Sequence, residues 1–128
     1  MSVQEKITIG TRGSDLALWQ AHFVKGQLEE LGCEVTIAII KTRGDQIQHL
    51  SFEKMEGKGF FTKEIEDALL NDEVDLAVHS MKDMPTTQPE GLSLAAISYR
   101  DDPADCLVIR KDIADNNQVL KLPQNSVV

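Results

Sequence analysis

Three short stretches of this sequence gather cations, hydroxyls and carboxylates of the kind that line a site for a small anion. Thr11-Arg12-Gly13-Ser14 sets a guanidinium and a hydroxyl at the start of a helical pattern, where unpaired N–H groups and the positive end of the helix dipole attract an anion. Lys41-Thr42-Arg43-Gly44-Asp45 continues through polar sequence to Lys54 and Lys58. Ser80-Met81-Lys82-Asp83 adds a hydroxyl, an ammonium and a second carboxylate. Brought together, these groups would make a cation-rich cleft for a small polyanion. Asp45 and Asp83 would be its two candidate carboxylates. Each piece also has an ordinary structural reading. TRGS is a sound helix cap, and GKGFF lacks the spacing of a phosphate loop. Phe60, Phe61 and Trp19 suit packing, and His79 suits a satisfied structural role. Asp83 suits a turn before Met84-Pro85.

The elements that would position these stretches are legible from periodicity. Ile7 to Ile9 is a β-branched run. Ser14 then caps a helix whose apolar residues run from Leu16 to Leu31, and Gly32 stops it. Val35 to Ile40 is the next strand. Lys41 to Gly59 is expected as a long mobile loop with room for one helical turn. Thr62 is expected to cap a helix over 63–71, followed by strands over 74–78 and 92–97. This order predicts an α/β fold with a mostly parallel sheet and flanking helices. In such sheets ligands sit beyond the C-terminal strand ends, which is where all three stretches fall. The charged break RDDPAD marks a boundary: a first domain over 1–100, a hinge over 101–105, and the start of a second domain over 106–128. Cys106 to Ile109 is expected as a strand, and Ser126 to Val128 as the opening of another, so the chain is expected to be truncated.

The formal net charge is −8 over 128 residues. That argues against broad binding to nucleic acid or anionic membranes, which needs surplus positive charge. No apolar run has the length of a membrane span, and the polar N-terminus has no signal-peptide core. Cys33 and Cys106 form no CxxC pair and no zinc pattern with His, so no metal is expected. Both read as thiols in a reducing compartment, and the expected location is the cytoplasm.

TRGSDLALWQA, KTRGD, GKGFFTKEIEDALL, DLAVHSMKDMP and RDDPADCLV occur in the order and spacing of porphobilinogen deaminases. The chain resembles that family from about Ile7 to Val128. One departure is Asp15, where many members have Pro after the Ser; both suit a first helical position. The resemblance implies an enzyme that joins porphobilinogen units head to tail with loss of ammonia, giving hydroxymethylbilane for haem and other tetrapyrroles. It implies a covalently attached dipyrromethane primer and a fold whose lobes resemble type II periplasmic binding proteins. By match, Asp83 is the catalytic carboxylate that stabilises an azafulvenium cation. Arg12 and Ser14 bind carboxylates of substrate or primer, and Gln20 lies near the substrate pyrrole. Lys54, Lys58, Ser80 and Lys82 contact primer or substrate. Asp45 lies on the mobile loop over the cleft, and Phe61 packs against a pyrrole ring.

The resemblance also implies what to look for elsewhere. The family's primer-bearing Cys belongs to a third domain, and neither Cys33 nor Cys106 matches it. This chain by itself is therefore expected to be inactive and to carry no cofactor. The parent is expected to be a monomer, and this piece to self-associate through an unpaired sheet edge. Two other classes stay open on the residues alone. A solute-binding domain of similar fold would also line its strand ends with cations, and a purely structural domain would use every motif for capping or packing.

Overall fold

A computed structural model of the chain describes residues 4–47, 59–106 and 108. The chain divides into two compact units, Met1–Ala95 and Ala96–Val128. In the first, β1 spans Lys6–Thr11, α1 Asp15–Glu30, β2 Glu34–Ile39, α2 Arg43–Gln46, α3 Lys63–Leu70 and β3 Leu76–Ala77, and a single 3-10 turn follows at Met81–Asp83. The three strands form a parallel sheet in the order β2-β1-β3. The parallel α/β expectation therefore holds at this level. β1 is central, and its C-terminal end delivers Arg12 and Ser14 to the same edge of the sheet that β3 reaches with Ser80.

Local sequence explains the boundaries of α1. Ser14 is extended, and its Oγ accepts the Ala17 N–H at 3.3 Å. At the other end Gly32 adopts φ 92°, the Gly32 N–H donates to Glu29 O, and the Cys33 N–H donates to Leu28 O. That is a complete Schellman ending, which the glycine makes possible. α3 ends the same way with Asp72 at φ 56°, a position where a side chain is strained.

Ile9, Ala21 and Val35 are the buried centre against which Ile7, Val24, Leu28, Cys33, Ile37, Leu76 and Val78 pack. Burying a side chain such as Ile9 contributes about 1.5–3 kcal/mol. Alternation puts Gly10 on the opposite face of β1. There a Cβ would lie 3.0 Å from Val74 Cγ2, so glycine lets Val74 approach the strand. Ile65 and Ala68 of α3 are also buried.

Four expectations need correction. The strand expected over 92–97 is absent: these residues join no ladder among the described residues, and Leu94 and Ile97 are exposed. An apolar run becomes a strand only when a neighbour takes its backbone hydrogen bonds, and no described strand does so here. Cys106 and Val108, expected in a strand, are likewise outside any element and exposed. The strand expected over 74–78 pairs by ladder only at Leu76–Ala77, with single bonds from the Asp75 N–H to Thr8 O and the Val78 N–H to Gly10 O on either side. Thr62 precedes α3 but makes no capping bond; it is buried with its Oγ1 unpartnered. Its φ and ψ, −121° and −30°, lack the extended conformation from which a cap side chain reaches the first turn. The expected mobility of residues 48–58 lies outside the described residues, as do the expected strand at 126–128 and the strand positions 107 and 109.

Candidate active-site cleft

The strand ends converge on a small, open cleft. Arg12 and Ser14 reach it from the β1–α1 turn, Ala17 and Gln20 from the first turns of α1, and His79, Ser80 and Asp83 from the segment after β3. Five residues singled out from sequence therefore meet here: Arg12, Ser14, Gln20, Ser80 and Asp83. Gln20 spans the cleft to Ser80, donating from Nε2 to Ser80 Oγ at 3.0 Å, with the reverse contact from Ser80 Oγ to Gln20 Oε1 at 3.3 Å.

Arg12 is the most constrained of these groups. Its Nε and Nη2 both donate to Asp45 Oδ1, at 3.1 and 2.6 Å, and its guanidinium carbon lies 4.1 Å from the centroid of the Phe61 ring. Asp45 sits in α2, the one helical turn for which the expected loop left room. Thr42 and Asp45 form a reciprocal capping box, with Asp45 Oδ2 accepting from the Thr42 N–H at 3.1 Å and from Thr42 Oγ1 at 2.7 Å. The loop starts as a helix because this box satisfies the orphan N–H groups of so short a turn. Burial pushes the Asp45 carboxyl up, but hydrogen bonds from Arg12 and Thr42 outweigh it and hold the group below its ordinary pKa.

Asp83 is placed differently. Its backbone N–H closes the 3-10 turn on Ser80 O at 3.0 Å, and its carboxylate has no hydrogen bond or ion pair among the described residues. Lys82 is exposed on the same turn and does not line the cleft. Arg43 and Lys63 pair with Glu64 and Asp67 and do not line it. Lys54 and Lys58 lie outside the described residues.

Two contributors escape a reading of the sequence alone. His79 reads as structural there, yet it lines the cleft half-buried. Burial pushes its imidazole down, and the carboxylates of Asp83 and Glu66 oppose this only in part. Its place between a strand and Ser80 is the available signal. Thr42, fully buried, clamps Asp45; the Thr-x-x-Asp spacing is the signal for it. Cys33 and Cys106 are free thiols, and neither lines the cleft. No group of three or more His, Cys, Asp or Glu among the described residues is arranged to hold a metal. No helix among them is long and apolar enough to cross a membrane.

Residues 7–128 match the family model described as porphobilinogen deaminase, dipyromethane cofactor binding domain. The porphobilinogen deaminase of a Nitratiruptor species is 51% identical over 125 residues, covering 96% of this chain and 38% of the relative. That of Lawsonia intracellularis is 49% identical over 126 residues, covering 97% and 40% respectively. A third, from Pelobacter propionicus, is 53% identical over 107 residues, 82% of this chain and 34% of its own length. The chain thus spans about two fifths of the first two relatives. With the family model covering nearly all of it, and the cleft gathering the residues of TRGS and HSMKD, the chain belongs to the porphobilinogen deaminase family.

Proposed function

We propose that this chain supplies one wall of a site that condenses porphobilinogen into hydroxymethylbilane, a transferase activity of tetrapyrrole and haem biosynthesis. The observation that carries the reading is a cleft at the parallel strand ends lined by one oriented guanidinium and by a carboxylate unpaired among the described residues. Porphobilinogen is an aminomethylpyrrole with acetate and propionate side chains. Arg12 holds one of these carboxylates, with Ser14 at the positive end of α1 beside it. Gln20 and Ser80, locked to each other, present amide and hydroxyl groups to the ring. Asp83 faces the pyrrole N–H and stabilises the positive charge that develops as the C–N bond breaks and ammonia leaves. A new C–C bond forms to the next pyrrole, whose ring carbon gives up its proton. Lys82, and by resemblance Lys54 and Lys58, hold further carboxylates, and Phe61 and Asp45 border the site.

The cleft suits an anionic pyrrole chain, since a guanidinium, hydroxyls and an amide face a carboxylate there. When bound, dipyrromethane supplies the pyrrole end to which units are joined. Neither thiol of this chain lines the cleft, so this part would hold it without a covalent bond. The 128-residue chain alone is accordingly inactive. Residues 101–105 serve as the hinge to a second lobe, each lobe resembling a type II periplasmic binding protein. The free thiols and net negative charge fit a cytoplasmic protein without nucleic-acid or membrane partners. The outer strands β2 and β3 offer edges through which the isolated chain would self-associate. A light-scattering mass that stays monomeric at high concentration would count against this last point.

The test is titration of the ¹⁵N-labelled chain with porphobilinogen. Saturable shifts at Arg12, Ser80 and Asp83, with no hydroxymethylbilane produced, are expected. Absence of binding would sink the reading, and turnover above a no-protein control would sink the inactivity of the isolated chain.

A further inference from the structure

Arg12 is the only Arg or Lys among the described residues lining the cleft, and an arginine left to itself samples many rotamers. We infer that Asp45 and Phe61 are positioning residues for Arg12, kept in place by Gly44, and that together they set how tightly Arg12 grips a carboxylate. The inference rests on the reading of Arg12 as the carboxylate-holding group. Asp45 divides its two oxygens: Oδ1 takes Arg12 Nε and Nη2, while Oδ2 is tied to the backbone and hydroxyl of Thr42. Asp45 is thereby anchored to α2 and cannot follow the guanidinium if it swings. Only the Nε–Nη2 edge is used. The hydrogens of the Nη1–Nη2 edge stay available for a two-pronged bond to an incoming carboxylate.

Phe61 removes a second freedom by lying against the guanidinium, 4.1 Å from ring centroid to Cζ. Gly44 fixes the ring in turn. A Cβ on Gly44 would lie 2.2 Å from Phe61 Cε1 and 2.3 Å from Cδ1, so the ring rests against bare backbone. The Gly44 N–H also donates to Phe60 O at 2.8 Å, joining α2 to the segment before α3. On this account Phe61 acts on the ligand through Arg12 rather than as a stacking platform for pyrrole. The ligand-free Arg12 Nε–H signal separates the two roles, because it reports positioning before any pyrrole is present.

The experiment uses the ¹⁵N-labelled 128-residue chain and follows the Arg12 Nε–H resonance, assigned by its loss in Arg12→Lys. It then measures porphobilinogen affinity. The wild type is expected to give a protected Nε–H signal. Gly44→Ala and Asp45→Asn should return that signal to the position of a mobile arginine and weaken porphobilinogen binding roughly three- to tenfold. Phe61→Leu keeps apolar bulk and should do the same, so the test survives if Gly44→Ala fails to fold. Wild-type affinity in Phe61→Leu together with Asp45→Asn overturns the inference. Wild-type affinity in Arg12→Ala overturns the carboxylate-holding reading beneath it. The ligand-free Nε–H signal tells these failures apart, since it reports positioning whether or not Arg12 binds ligand.

Discussion

On the β1 side of the cleft, Arg12 has one edge on Asp45 and one face on Phe61, and Asp45 is itself clamped by Thr42. On the β3 side, Asp83 and Lys82 ride a three-residue 3-10 turn without an ion pair among the described residues. On the function proposed above, the difference separates two jobs. A group that must recognise a carboxylate gains from being held still, because the entropy of ordering it is spent before the ligand arrives. A carboxylate that must stabilise a transient cation gains from having no resident cation to neutralise it. Gln20 is the strut between the sides, through its paired contacts with Ser80.

The largest test falls on the unpaired side. In a protein carrying the remaining length of its relatives, Asp83→Asn should leave porphobilinogen binding nearly intact and cut turnover on the order of a hundredfold or more. Comparable turnover in the purified variant would mean that the absence of a partner at Asp83 has no catalytic meaning. Next comes the strand that carries both sides. Ile9→Ala should cost about 2–5 kcal/mol, since Ile9 is fully buried at the centre of the core. Urea denaturation reads this directly, and a cost under about 1 kcal/mol would show that the sides are not supported through β1.

Smaller effects probe the strut and the acid response. Gln20→Ala should lower stability by about 0.5–1.5 kcal/mol and broaden the Ser80 amide resonance. An unchanged Ser80 signal would mean the two sides are fixed independently. His79 should titrate below 6.5 when its ring protons are followed by NMR. The unfolded chain then takes up the proton first as pH falls, so stability contributed by neutral His79 is present above about pH 6.5 and declines below it. His79→Gln should flatten that decline below about pH 6.5. Asp45 adds a second loss at lower pH: its stabilisation is present above the ordinary carboxylate value and disappears as pH falls through the depressed one.

The elements set by local rules could be read from the chain alone. Ser14 and Gly32 bound α1 because capping and a left-handed ending are decided within a few residues. The runs at Ile7–Ile9 and Val35–Ile40 pair as β1 and β2 nearly as their patterns indicate. The position of TRGS and HSMKD at strand ends followed from the same order of elements. What required the tertiary structure was every property that depends on a distant partner. The 92–97 run is apolar enough for a strand, yet it pairs with no strand among the described residues. Asp72 ends α3 in a conformation its side chain does not favour, where composition gave no glycine to announce it. Asp45 and Phe61 could be picked out in sequence as residues near the site, but their grip on Arg12 appears only when residues 33 and 49 positions apart along the chain are brought together. Periodicity and capping act over one or two turns, whereas pairing, burial and the matching of charges are settled by whatever the fold places alongside.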